Sequence, residues 1–194
     1  MNLHVLILAG GRGSRLGGVR KAELRLGGST LLDRVIARLP PLPTPLLIAT
    51  GPDPTLNYPG GINLADQHAD PGGPMAGLLA AIRYLGTASD ELLVTVAVDT
   101  PFLPADFVAR LTATKASAAE AGWRGNFYPT NAAYRLSALA GVLAEPPASP
   151  RQLLAALGAR RIDWADAAGE DPFANLNDLA DLVALRRRAR SGDG

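Results

Sequence analysis

The chain has no cysteine and only two histidines, His4 and His68. Disulfides and thiolate chemistry are thereby excluded, and neither a histidine-rich metal site nor a histidine-dependent catalytic triad has the residues it needs. Any metal here would be held by oxygen. Neither sign of charge dominates: 19 Lys plus Arg against 18 Asp plus Glu leave a formal net charge of +1, so a basic region can act only locally. The expectation is no nucleic-acid partner, and the arginines at 186, 187, 188 and 190 are read as the solvated end of a helix, where cations oppose the negative dipole end. No apolar run approaches the roughly 18 residues of a membrane span, and the N-terminus enters a strand pattern without the basic and apolar regions of a signal peptide. A cytoplasmic protein with no membrane partner is expected.

What is present is concentrated in Val5 to Lys21, VLILAGGRGSRLGGVRK. Val5 to Leu8 has the length and branching of a buried parallel strand, and it stops at Ala9, Gly10 and Gly11. Gly10, Gly11, Gly13, Gly17 and Gly18 then alternate with Arg12, Arg15, Arg20 and Lys21, so backbone can approach a ligand closely while cations surround it. That combination suits a polyphosphate. Neither the dinucleotide fingerprint nor the Walker A loop is matched, because Val19 follows Gly18 where a lysine would be required. A flexible glycine turn with solvated arginines is the plainer reading of the same residues.

Further along, Ala22 to Leu26 alternates like a short strand, and Ser29 or Thr30 can cap a helix over 31–39. Strands are expected at 46–50 and 61–65, a helix at 78–85, and a central strand at 91–98. Pro104 is placed at the start of the next helix. In the second half, 115–121 reads as small and polar, 126–134 as strand, 135–144 as helix, 151–157 as helix and 161–164 as a short strand. Asn177 or Asp178 would cap a final helix. Alternating strands and helices imply a doubly wound, Rossmann-like three-layer α/β sandwich with a mostly parallel central sheet. No repeat or boundary divides it, so one domain over 1–194 is expected, with 182–194 forming a helix end and flexible tail.

In such a sheet ligands sit at the carboxyl ends of the strands, which places the first glycines and Asp99 on one rim. Asp99 has the hardness and charge for Mg2+, although a turn cap beside Pro101 would use the same residue. Asp66 ends another strand and Asp70 follows in a glycine-proline loop, either as ligands or as turn formers. Gly72, Gly73, Pro74 and Gly77 open a helix whose first amides favour an anionic or carbonyl oxygen. His68 in this segment serves equally well as a surface residue. Lys21 and Arg15 lie where phosphates would be. Trp123, Trp164, Tyr128 and Tyr134 can stack on a base or pterin, or simply fill core and surface.

Taken in order, LAGG at 8–11, the basic glycine loop ending in Lys21, GGPMAG at 72–77, VDTPFL at 98–103 and FANLND at 173–178 resemble the molybdenum cofactor guanylyltransferases. The matches run from residue 5 to about 182. The resemblance implies transfer of GMP from GTP to the terminal phosphate of molybdopterin, with pyrophosphate leaving and Mg2+ as cofactor. It implies nucleotide contacts at Leu8, Ala9, Gly10, Gly11, Lys21, Asp66, Gly73, Pro74, Gly77 and Asp99, with Asp99 as the metal ligand. Asp99, Lys21 and Arg15 become the catalytic candidates, and Asn175 and Asn177 the candidates for the molybdopterin side. GTP and molybdopterin are the implied partners, beside transient contact with cofactor-inserting or molybdoenzyme-delivery proteins.

The chain departs from the family pattern at three places. Arg20 stands where an acidic residue commonly precedes the loop lysine, Tyr128 where a histidine commonly precedes the proline, and Ala49-Thr50-Gly51 where an asparagine commonly ends the second strand. Two further readings stay open: a related transferase using CTP or another acceptor such as a sugar phosphate, and a non-catalytic module that binds nucleotide or molybdopterin.

Overall fold

In a computed structural model, residues 2–13, 18–53, 55–66, 71–166 and 169–190 are described. Strands β1 (Leu3–Leu8), β6 (Leu47–Gly51), β7 (Ile62–Ala65), β8 (Leu92–Ala97), β9 (Ala118–Trp123), β10 (Asn126–Arg135) and β11 (Arg160–Asp163) form one sheet in the order β11-β9-β10-β8-β1-β6-β7. Only β10 runs against the other six, pairing antiparallel with both β8 and β9. The sheet is therefore mostly parallel, as the alternation of apolar runs and helical segments requires.

Helices α1 (Leu31–Arg38), α2 (Pro74–Leu85), α3 (Phe107–Thr112), α4 (Pro150–Ala156) and α5 (Leu179–Arg190) cover both faces. Successive residues of a strand point to opposite faces. Val5 and Ile7 accordingly pack with Val35 of α1, Leu111 of α3 and Leu185 of α5, while Leu6 packs with Leu78 and Ile82 of α2 and Leu153 of α4. These are the three layers. Each helix is placed by its own signals: Thr30 and Asp33 form a reciprocal cap on α1, Pro74 opens α2, and Asp178 accepts from the Asp181 amide at the start of α5.

Four segments differ from the sequence expectation. Lys21–Glu23 is a single 3-10 turn, followed by a tiny hairpin of β4 (Arg25–Leu26) and β5 (Ser29–Thr30). Ala22 and Leu26 are buried four residues apart, which suits a turn better than an alternating strand. The α3 helix begins at Phe107, three residues after Pro104. The expected helix over 135–144 is a 3-10 turn over Leu136–Leu139: Arg135 and Leu136 are still anchored through their amides to the Ser117 and Glu91 carbonyls, and Ala140 returns to a ψ of 131°, which ends the turn. The alanine-rich 118–123 segment is a fully paired internal strand. Its Glu120 is buried, and its carboxylate meets Arg161 at 3.1 Å.

Arg188 is not a solvated arginine. Its guanidinium stacks 4.1 Å over Phe102 and donates to the Asp171 carbonyl at 2.7 Å. No helix among the described residues is long and apolar enough to cross a membrane.

Candidate active site

The carboxyl ends of β1, β6, β7 and β8 face one way and enclose a cavity of about 350 Å3. That volume lies in the range of small-molecule sites. Leu8, Gly10 and Gly11 form its floor beyond β1, Asp66 stands beyond β7, and Ala97, Val98 and Asp99 form the wall beyond β8. Gly73, Pro74 and Gly77 bring the first turn of α2, the positive end of the helix dipole, to the opening. Two of the lining glycines serve packing as well as ligand access. A Cβ on Gly10 would lie 2.5 Å from the Gly51 Cα, and one on Gly77 would lie 2.7 Å from the Ala49 Cβ. Gly10 thus allows β1 and β6 to converge below the cavity, and Gly77 lets α2 settle against them.

The glycine loop is itself a small hairpin, β2 (Arg12–Gly13) against β3 (Val19–Arg20), closed by a bond from the Lys21 amide to the Gly11 carbonyl. It delivers Lys21 across the cavity mouth. The ammonium lies 2.7 Å from Asp99 Oδ2 and donates to Asn177 Oδ1 at 3.1 Å. Both side chains of the ion pair are only about one-sixth exposed, at 15% and 16%, so water screens it less than a surface pair. Three segments far apart in sequence are thereby joined through one lysine. The Asp99 carbonyl adds a third bond to this junction by accepting from Leu176, between the two asparagines.

Among the described residues, two polar atoms at the site have no partner. Asp66 Oδ1 and Asn175 Oδ1 are buried acceptors without a donor, and both residues line the cavity. Buried polar groups in folded proteins are overwhelmingly paired, so two orphan acceptors in one cavity mark where donors of a ligand would dock. Burial also raises the pKa of Asp66 above the usual aspartate value.

Nine of the residues expected to contact nucleotide line this cavity: Leu8, Gly10, Gly11, Lys21, Asp66, Gly73, Pro74, Gly77 and Asp99. Ala9 does not. Its side chain enters the core, and its amide donates to the Ala49 carbonyl at 2.9 Å. Asn175 shares the same cavity, whereas Asn177 reaches the site through Lys21. Arg15, His68 and Asp70 lie outside the described residues. Thr130 also lines the cavity and was not marked by any sequence signal, since it sits inside a strand pattern beside a proline.

At the three departures from the family pattern, other contacts are made. Arg20 pairs with Asp53 at 2.8 Å and lies 3.5 Å from Glu23, so its charge is balanced locally. Tyr128 donates its hydroxyl to Asp171 and packs 5.3 Å from Phe173, at the head of the asparagine segment. Thr50 turns its hydroxyl to the Leu64 carbonyl at 3.3 Å. Among the aromatics, Trp164 and Tyr134 are core residues, 1% exposed each.

Among the described residues no three His, Cys, Asp or Glu side chains converge on one point. The donor set nevertheless fits Mg2+, which takes one or two carboxylates and completes its shell with phosphate oxygens and water. Asp99 supplies such a carboxylate at the mouth of a cavity lined by a lysine and a helix N-terminus.

Comparison with known proteins agrees with this geometry. The family model described as the MobA-like NTP transferase domain matches residues 5–168. A molybdenum cofactor guanylyltransferase of Acidiphilium cryptum is 38% identical over 185 residues, covering 94% of this chain and 93% of the relative. One from Cereibacter sphaeroides is 39% identical over 198 residues, covering 97% and 99%. The crystal structure of molybdopterin-guanine dinucleotide biosynthesis protein A from Archaeoglobus fulgidus superposes with a TM-score of 0.74 over 97% of this chain and 100% of that one, at 23% identity. That last match speaks to the fold, and the first three to ancestry. The chain belongs to the MobA-like NTP transferases, within the group of the molybdenum cofactor guanylyltransferases.

Proposed function

We propose that this chain, as one nucleotidyltransferase domain over 1–194, transfers GMP from GTP to the terminal phosphate of molybdopterin, forming the guanine dinucleotide cofactor. A phosphate oxygen of the acceptor attacks the α-phosphorus of GTP. The bond from that phosphorus to the oxygen bridging to the β-phosphate breaks, and pyrophosphate leaves with the electron pair. No covalent enzyme intermediate is required, which accords with a site built of glycines, one lysine, carboxylates and asparagines.

The observation that carries the reading is the meeting of Lys21 with Asp99 and Asn177 at the mouth of the cavity. Placed there, the lysine is a point charge for the triphosphate and the leaving pyrophosphate. Arg15, on the same loop, is assigned to the phosphates with it. Asp99 is the residue that would hold Mg2+, whose chemistry is to neutralise charge on the phosphate oxygens. The unpartnered Asp66 oxygen is an acceptor suited to the donors of guanine or of ribose, and the backbone of Leu8, Gly10 and Gly11 carries the base and sugar. The first turn of α2, at Gly73, Pro74 and Gly77, faces an anionic or carbonyl oxygen. Asn175 and Asn177 then bear on the acceptor, which brings its phosphate next to Lys21. The activity named for the 38% and 39% identical relatives supports this assignment.

Calorimetric titration with GTP, CTP and ATP, each with and without Mg2+, tests it. Selective, Mg2+-sensitive binding of GTP is expected. Preference for CTP or ATP points to a different transfer, and binding of none of the three contradicts a nucleotide site that forms before the acceptor arrives.

A further inference from the structure

The sheet is interrupted beside Asp99. Pairing of β10 with β8 ends at Ala132 opposite Thr95, and pairing of β10 with β9 jumps from Tyr128 opposite Ala121 to Ala132 opposite Glu120. Pro129, Thr130 and Asn131 are therefore surplus on β10 and form a bulge. Proline has no amide to give to a ladder, which suits it to such a place. Bulges gather next to active sites, where they redirect side chains. This one turns Thr130 into the cavity and leaves the last turn of β8 without a backbone partner on that side.

Asn131 fills the gap. Its Oδ1 accepts from the Ala97 amide at 2.9 Å, two residues before Asp99. Because the partner is an N–H, only the oxygen of the side-chain amide can face it. Asn131 is fully buried, at 0% exposure, and its Nδ2 has no partner. An apolar residue of the same size would remove that unpaired donor but leave the buried Ala97 amide without an acceptor instead. The carbonyl of the same residue is held too. The Ala97 carbonyl accepts from the Thr100 hydroxyl at 2.7 Å and from the Thr100 amide at 3.2 Å. Asn131 fixes the entry to the Val98-Asp99 turn and Thr100 fixes its exit.

We propose that Asn131 is a positioning residue for Asp99: from the β10 bulge its side-chain oxygen holds the end of β8, and thereby sets where the Asp99 carboxylate meets a divalent cation. The proposal rests on the metal role assigned to Asp99 above. Partners that orient a metal ligand through one intervening contact commonly govern about tenfold to a hundredfold in metal affinity.

The test uses the full chain with GTP, Mn2+ as a spectroscopic stand-in for Mg2+, and the variants Asn131→Leu, Asn131→Ala and Asp99→Asn. Asn131→Leu keeps the bulk, and Asn131→Ala carries the measurement if the leucine variant does not fold. Expected are cooperative melting, Mn2+ binding weakened about tenfold to a hundredfold, and faster amide hydrogen exchange over residues 97–99. A folded variant that melts lower but binds Mn2+ like the parent would show a merely structural residue and overturn the proposal. Mn2+ binding that Asp99→Asn does not reduce would instead remove the metal reading of Asp99. Exchange over 97–99 then decides whether Asn131 holds the end of β8, and unchanged exchange overturns that as well.

Discussion

The two halves of the rim are built on opposite plans. At the ends of β1, β6, β7 and β8 the cavity is lined largely by small residues, the strands are parallel, and among the described residues two buried acceptors, on Asp66 and Asn175, have no donor. Around β10, β9 and β11 the carboxylates are taken up by the chain itself. Asp163 accepts from the amides of Arg124 and Gly125, Asp106 from the Trp164 ring nitrogen, and Asp171 from the Tyr128 hydroxyl and the Phe173 amide. Trp164, Phe107 and Phe173 interlock there with centroids 5.3 to 6.1 Å apart. Carboxyl and amide oxygens left without a donor mark where a ligand is received, and paired carboxylates mark where the scaffold is fixed. The asparagine segment lies between: Phe173 and Leu176 are fully buried, while Asn175 and Asn177 face the site.

This contrast can be broken first at Trp164. Trp164→Ala removes a side chain that is 1% exposed, its bond to Asp106 and its stack under Arg110, and should cost about 3 to 5 kcal/mol in denaturant melts. Nucleotide affinity of the folded fraction should be unchanged. Lys21→Ala should do the reverse, leaving the fold intact and raising KM for GTP about tenfold to a hundredfold, the range for a charge-assisted hydrogen bond. Steady-state kinetics at low GTP would check it, and unchanged kinetics would remove the lysine from the triphosphate.

Tyr128→Phe keeps the ring contact with Phe173 but strands one Asp171 oxygen, for an expected loss of about 1 to 3 kcal/mol in stability with GTP affinity preserved. The smallest effect is predicted for Asp66→Asn, and it has two signs. Burial raises the Asp66 pKa, so the folded chain holds this proton more readily than the unfolded chain. The residue's contribution to stability therefore falls as pH rises from the unfolded value, about 3.9, through the raised folded value. Asp66→Asn should melt slightly higher than the parent at pH 7, with the advantage shrinking as the pH approaches 4, while GTP binds more weakly. Thermal melts across that range, paired with calorimetry, would separate the two effects.

The parallel half was largely legible in the sequence. Continuous apolar runs stopping at glycine or aspartate identified β1, β6 and β8, and strand ends predicted that the first glycines and Asp99 would share a rim. The other half was less so. In β9, Ala118, Ala119, Ala121 and Gly122 carry weak strand preference, and the segment is a strand because α3 and α4 press close on its two faces. The Leu136 turn looks helical by composition, but its first amide is anchored on the Glu91 carbonyl and the chain returns to an extended ψ at Ala140. Contacts such as Lys21 with Asp99, 78 residues apart, follow from strand order rather than from any local pattern. The bulge that buries Asn131 is likewise a property of register between three strands, and Pro129 alone was its trace in the sequence.

The central claim is that Lys21 and Asp99 bracket the phosphates of GTP during GMP transfer. Its most direct measurement is pyrophosphate release from GTP on addition of molybdopterin, comparing the parent with Asp99→Asn under matched Mg2+. The account predicts acceptor-dependent release by the parent and a loss of about a hundredfold to a thousandfold in the folded variant, equivalent to several kcal/mol of transition-state stabilisation. Full activity in Asp99→Asn, or no release by the parent, would contradict it.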